Sequence, residues 1–197
     1  MKPMHEMIQT YFETMYTDFE KDIKQSLFAK GDQIYDELYY YSIVHLLQHL
    51  EVTDIDHFLD MGSGLGKLVF QVFLTTHAAS VTGIEIHPQR HAIAAKIKNR
   101  MAEQLPEMFA QKRQLNLLEG DFLKQDFYPT TIVYICSVVF SLGLLNGICK
   151  KINTMDSVKK IASLRKLPTL NNFELTKKIF LHGTRDNYPC YLYARKG

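Results

Sequence analysis

The sequence predicts an α/β fold, a doubly wound and mostly parallel sheet of seven strands with a helical extension at the N-terminus. Short apolar runs alternate with segments whose apolar residues recur every three or four positions, as strands alternate with helices. The run at 131–140 is apolar nearly throughout, as expected of a strand covered on both faces. With 197 residues the chain can bury one sizeable core, so we expect one globular unit.

Two helical segments open the chain. Apolar residues three or four positions apart predict a helix over residues 1 to about 30, and Gly31 interrupts that pattern. A second amphipathic helix is predicted to begin behind Ser42 and to end near Glu51. We therefore divide the chain into an extension and cofactor lid at 1–50 and a catalytic domain at 51–197.

The remaining elements alternate as a doubly wound sheet requires. The first strand ends in Asp60, and a glycine turn and a helix follow it. Further strands are predicted at 80–86, 115–119, 131–140, 159–164, 178–183 and 190–196, with helices from Pro88 and at about 142–153. The last two strands flank a turn and are predicted to pair antiparallel. A ligand is expected where the strand order reverses, at the loop after the first strand.

Composition excludes several protein classes. Hydrophobic residues make up 46% of the chain, but no apolar run approaches the roughly 20 residues of a membrane helix. Three cysteines without a CxxC spacing indicate neither a disulfide framework nor a zinc ribbon, and the N-terminus lacks the apolar core of a secretory signal. We expect a cytoplasmic protein, monomeric or weakly dimeric, with no membrane association.

The segment Asp60–Gly66 carries the strongest chemical signal, with glycines at 62, 64 and 66. Glycine lets the backbone turn sharply and approach a ligand closely. A dinucleotide fingerprint would require glycine at position 67, where this chain has Lys67, and a carboxylate at Asp60 would repel a diphosphate. The same carboxylate attracts an ammonium or sulfonium centre. S-adenosylmethionine bears both groups, and we predict that Asp60, Gly62, Ser63 and Gly64 bind it.

Two more acids follow the next two strands. Glu85 comes 21 residues after Gly64, where its carboxylate can accept hydrogen bonds from both ribose hydroxyls. Asp121 is placed for an adenine amino group, and Phe122 can pack on the ring. Each acid alone could be an ordinary turn residue. Their coincidence with the glycine loop predicts a nucleotide-type site.

These residues resemble the class I S-adenosylmethionine-dependent methyltransferases. FLDMGSGLGKLVFQV is most similar to the non-SET histone-lysine methyltransferases of the disruptor-of-telomeric-silencing type and their bacterial relatives. Residues 34–37 (Ile-Tyr-Asp-Glu) resemble the family's Tyr-Gly-Glu loop, which implies that Tyr35 and Glu37 cover the methionine end of the cofactor. Residues 119–122 resemble its adenine-side Gly-Asp-Phe. The resemblance covers roughly residues 30–166 and implies methyl transfer to a protein lysine.

The methyl-transfer end departs from the family pattern. The family's asparagine after the fourth strand is replaced by Ser137, although Phe140 is kept, and Asp36 replaces the loop glycine. We expect Tyr35, Ser137 and Phe140 to act at this end. The competing interpretations are simple packing for Tyr35 and Phe140 and a structural turn hydroxyl for Ser137. A serine lacks the paired donor and acceptor of an amide, which weakens the inference of lysine specificity.

Three other functions stay open at this stage: a methyltransferase for a small molecule or RNA base, a cofactor-binding module without turnover, and a nicotinamide oxidoreductase. We expect no metal, because His45 and His49 belong to no H-E-x-x-H motif. Residues 150–197 carry 11 basic and 3 acidic side chains. This excess could attract nucleic acid or an acidic protein surface, although a solvated lysine face is the simpler interpretation.

Overall fold

The computed structural model describes residues 2–27 and 37–197. Within them the helices are α1 (Lys2–Asp18), α2 (Glu20–Leu27), α3 (Tyr40–Leu50), α4 (Lys67–Thr75), α5 (Pro88–Gln104), α6 (Pro106–Phe109) and α7 (Leu142–Asn153). The strands are β1 (His57–Met61), β2 (Ser80–Glu85), β3 (Gln114–Glu119), β4 (Ile132–Ile135), β5 (Lys160–Ser163), β6 (Phe173–His182) and β7 (Asn187–Arg195).

The seven strands form one sheet in the order β3-β2-β1-β4-β5-β7-β6. The strands from β1 to β5 pair in parallel, whereas β7 runs antiparallel to both β5 and β6. The predicted doubly wound, mostly parallel sheet is confirmed. Its order reverses between β1 and β4, so a crevice opens at the carboxyl ends of these two strands.

Hydrophobic cores cover both faces of the sheet. Phe58 of β1 packs into the core shared with α1, α3, α4 and α5, and its neighbour Leu59 packs into the core shared with α7. This alternation follows from the two-residue period of a strand. Because Phe12 and Met15 of α1 lie in the first core, the extension packs onto the helical layer. The division at residue 50 stays a prediction.

Three element boundaries differ from the sequence predictions. The fourth strand ends at Ile135 instead of residue 140, because its partner β1 ends at Met61, which pairs with Ile135. Helix α3 begins at Tyr40, so Ser42 lies inside the helix and does not cap its N-terminus. The Ser42 hydroxyl accepts a hydrogen bond from the His182 N–H at 2.8 Å. The sixth strand starts at Phe173, five residues earlier than predicted, by pairing with the end of β7.

None of the helices α1 to α7 combines the length and the apolar character needed to cross a bilayer.

Candidate functional site

The chain leaves β1 through a loop that glycine makes feasible. Gly62 has φ +92° and Gly66 has φ +81°, and residues other than glycine avoid this left-handed region of the backbone. A Cβ at Gly66 would lie 2.8 Å from the Phe70 ring. The N–H groups of Gly62 and Ser63 donate to the Ile84 carbonyl at 2.9 and 3.0 Å. The loop is therefore held against the end of β2.

Glu85 joins this loop to the start of α5. One oxygen, Oε2, accepts the Gly64 N–H at 2.8 Å, and the other, Oε1, accepts the His87 N–H at 2.8 Å. The side chain is 5% exposed, so these bonds fix its rotamer. Each carboxylate oxygen has a second lone pair, and Glu85 lines the cavity, so a pair of hydroxyl donors can bind there.

Asp60 is buried at the end of β1. Burial raises the pKa of its carboxyl from the ordinary value of 3.8 to about 8, and the nearby Glu85 carboxylate adds to the effect. Among the described residues, no group donates a hydrogen bond to Asp60 Oδ1. A buried oxygen without a donor is costly, so this atom marks a place where a cationic N–H ligand would be stabilising.

A cavity of about 300 Å³ connects these acids. Within residues 2–27 and 37–197, its acidic lining comes from Glu37, Asp60, Glu85 and Asp121. The rest of the described lining includes Leu38, Ile43, Leu68, Ile86, Phe122, Leu123, Tyr134, Cys136, Val139, Phe140 and Leu144. This volume lies at the lower end of the range for small-molecule pockets.

The loops after β3 and β4 form another part of the cavity wall. The Phe122 and Phe140 rings lie there with centroids 5.9 Å apart, and both face the cavity. Asp121 Oδ1 accepts the Leu123 N–H at 2.9 Å, so the carboxylate also closes a turn. An apolar ring beside a carboxylate suits a flat heterocycle that carries an amino group.

Glu37 reaches the cavity because the β6–β7 hairpin holds its backbone. Its carbonyl accepts the Thr184 N–H at 2.8 Å, and Leu38 forms an antiparallel bridge with Gly183. The Glu37 carboxylate forms an ion pair with Lys67, the first residue of α4. Tyr35, predicted beside it, lies outside the described residues, so its role and that of the lid stay predictions.

The extension supports the glycine loop. The Tyr16 hydroxyl of α1 donates to the Leu65 carbonyl at 3.0 Å, and the Lys67 ammonium lies 4.8 Å from the Tyr16 ring centroid. Burial raises the pKa of Tyr16 well above its ordinary value, so the hydroxyl stays protonated and donates.

Phe140 and Ser137 have different surroundings. Phe140 lines the cavity, but Ser137 is fully buried and is not among the described lining residues. The Ser137 Oγ lies 2.9 Å from the Ser163 Oγ and accepts the Arg165 N–H at 2.9 Å. This placement fits the structural turn hydroxyl that the sequence left as one interpretation. A catalytic role for Ser137 stays a prediction.

The sequence prediction missed several residues that line the cavity, among them Lys67, Tyr134 and Cys136. Lys67 directly follows the glycine loop, so its position was a usable signal. Tyr134 is a cavity residue because β4 pairs with β1 in a register that sets it beside Asp60. No local pattern in the fourth strand reveals that register.

No group of three or more metal-ligating side chains occurs in residues 2–27 or 37–197. The His45 and His49 rings contact each other edge to face, with centroids 4.7 Å apart. The expectation of a site without metal stays a prediction.

Comparison with known proteins gives a family match over most of the chain. Residues 14–180 match the family described as histone methylation protein DOT1. A histone-lysine N-methyltransferase of Drosophila melanogaster, specific for H3 lysine-79, is 25% identical over 158 residues. That alignment covers 74% of this chain but 8% of the much longer fly protein.

Solved structures share the fold at low sequence identity. An RNA methyltransferase from Salinibacter ruber, in complex with S-adenosyl-L-homocysteine, superposes with a TM-score of 0.59 at 16% identity, covering 82% of this chain and 95% of that one. TrmK from M. capricolum, also with S-adenosylhomocysteine, gives a TM-score of 0.57 at 14% identity, with 81% and 70% coverage. At these identities the likeness concerns the fold alone.

Proposed function

This chain belongs to the DOT1 family of histone methylation proteins, and from that membership we propose that it methylates lysine side chains of a protein. The predictions of a class I methyltransferase and of S-adenosylmethionine as its cofactor are confirmed by the family match. The hypothesis of a nicotinamide oxidoreductase, which the sequence left open, is therefore wrong.

The residues present fit this cofactor. Asp60 offers an ammonium group a buried oxygen to which no described residue donates, and Glu85 offers two oxygens to the ribose hydroxyls. Asp121 and Phe122 suit the adenine ring, and Glu37 with Lys67 suits the charged methionine end. When bound, the cofactor supplies an electrophilic methyl group on a sulfonium. These assignments are part of the proposal.

The proposal that lysine is the methyl acceptor rests on the family match over residues 14–180. The cavity supports it through the apolar wall formed by Val139, Phe140 and Leu144. An amine attacks only when neutral, and apolar surroundings lower the pKa of an ammonium group. This wall would therefore favour the reactive form of a lysine amine and exclude water.

The protein contributes orientation and desolvation to the reaction rather than covalent catalysis. Phe140 would pack beside the acceptor, and its backbone is held by the Arg165 guanidinium, which donates to the Phe140 carbonyl. Transfer of a methyl group to an amine requires no nucleophilic side chain of the protein.

The test is incubation of the purified protein with tritiated S-adenosylmethionine and whole-cell lysate, followed by digestion and location of the label. We expect label on lysine ε-amino groups. Phe140→Leu should lower the rate of transfer, while S-adenosylhomocysteine affinity changes less than threefold. Label that appears only in RNA or in small molecules would contradict the proposal and favour the other methyltransferase hypothesis.

Cofactor binding without turnover has one observation in its favour. Ser137 stands where the family has an asparagine, and its hydroxyl is bonded to Ser163 and Arg165. Tight binding of S-adenosylhomocysteine with no labelled acceptor would support this second function.

A cytoplasmic location is also part of the proposal. The free state of Cys136, Cys149 and Cys190 is compatible with a reducing compartment.

A further inference from the structure

The β6 edge of the sheet carries a basic and aromatic surface. On β6, Lys178 and Phe180 point to the same face, opposite the buried Ile179 and Leu181. Lys178 pairs with Tyr191 of β7, so the tyrosine lies on that face too. We call Lys178, Phe180 and Tyr191 the hairpin platform.

The platform presents one exposed ring, that of Phe180, beside the partly buried ring of Tyr191. Phe180 is 61% exposed, which is unusual for so large an apolar side chain. The Lys178 ammonium lies 5.1 Å from the Phe180 ring centroid and 5.6 Å from that of Tyr191, so a cation sits between the two rings. Alternating rings and positive charge are the features that bind a backbone of phosphates with unpaired bases.

A chain of contacts through buried residues links the platform to one cavity residue. Tyr191 pairs across the sheet with Ser163, whose hydroxyl contacts Ser137. Ser137 in turn accepts the Arg165 N–H, and the Arg165 side chain donates to the carbonyl of Phe140, a cavity residue.

Much of the local basic excess serves the fold instead. Of the 11 basic side chains in residues 150–197, five donate to backbone carbonyls. These are Lys151, Lys160, Arg165, Arg195 and Lys196. Lys178 instead lies over the exposed Phe180 ring, so it can meet a phosphate while a base stacks on that ring.

We propose that the hairpin platform binds single-stranded nucleic acid. A lysine-rich peptide would be repelled by Lys178, so this surface does not suit a basic acceptor. A second copy of the chain is also disfavoured, because adjacent lysines at 177 and 178 on the edge strand β6 oppose strand pairing between copies. The proposal does not depend on the identity of the methyl acceptor.

The test measures binding of fluorescent oligouridylate, 12 nucleotides long, to the full chain by anisotropy. Phe180→Ala should weaken binding by at least about 5-fold, since one base stack contributes roughly 1–3 kcal/mol. Lys178→Gln should weaken binding and reduce the slope of log affinity against log salt by about 0.7, as loss of one phosphate contact predicts.

Two matched variants control for the loss of a ring or a charge. Lys177→Gln removes the neighbouring lysine on the opposite face of the same strand, and Tyr41→Ala removes an exposed ring on α3. Both should bind oligouridylate within twofold of the unmodified protein. S-adenosylhomocysteine affinity, measured by calorimetry, should be unchanged in all four variants and reports an intact fold.

Any of three results would overturn the proposal: equal affinity of the Phe180→Ala and unmodified proteins, tighter binding of a duplex or of polyglutamate than of the single strand, or no binding at 50 mM salt. None of these outcomes bears on lysine methylation, which is assayed separately.

Discussion

The pKa of Asp60 gives the sharpest test of the cofactor site. In the ligand-free protein this pKa is about 8, so the carboxyl is mostly protonated at neutral pH. An ammonium group next to Asp60 favours the ionised form, so binding should expel the carboxyl proton. Affinity for S-adenosylhomocysteine should therefore rise with pH and approach a plateau near pH 8.

The magnitude follows from the distance between the working pH and this pKa. pH 6 lies about 2 units below the pKa of the Asp60 carboxyl. Ionising the carboxyl at this pH costs about 2.7 kcal/mol, which lowers the affinity for S-adenosylhomocysteine roughly 100-fold. We expect affinity to increase about tenfold per pH unit between 5.5 and 7.5. This range stays below most of the titration of the ligand's own α-amino group.

Isothermal titration calorimetry in buffers of different ionisation enthalpy measures both quantities, affinity and protons released. We expect release of about one proton per ligand at pH 6. The Asp60→Asn variant should bind S-adenosylhomocysteine without proton release and with little pH dependence. When both proteins are measured at pH 5.5, the affinity of the variant should approach that of the unmodified protein. A flat pH profile in the unmodified protein, or proton release that persists in Asp60→Asn, would refute the reasoning.

Three further predictions concern stability. Because folding raises the pKa of Asp60, the free energy of unfolding should fall as pH rises from about 4 to about 8. The Asp60→Asn variant should therefore be more stable than the unmodified ligand-free protein at pH 7, by up to about 4 kcal/mol in urea unfolding. Gly66→Ala should cost at least about 1–2 kcal/mol from its positive φ, with more from overlap with Phe70; an unchanged thermal midpoint would contradict this. Ser137→Ala and Ser163→Ala should each cost about 1–3 kcal/mol, and the double variant less than their sum. If Ser137→Ala lowers turnover far more than Ser163→Ala does at equal stability, Ser137 positions the loop that carries Phe140.

The order of strands and helices was predictable because hydrophobic periodicity is a local property of the chain. The acids that follow the first three strands were predictable for the same reason, since parallel strands in one sheet end at the same edge. Asp60, Glu85 and Asp121 therefore meet in one cavity, as expected. The end of the fourth strand was not predictable, because it depends on where β1 stops pairing.

The sequence by itself determined the sheet, the glycine turn and the acidic edge, all of which follow from residue types at short spacing. Only the tertiary structure decided where the remaining side chains point. Ser137 is bonded to Ser163, 26 residues away, and Tyr134 lies beside Asp60 because of strand register. The pKa of Asp60 likewise depends on burial by distant segments. Such contacts join residues far apart in the chain, and no local pattern encodes their orientation.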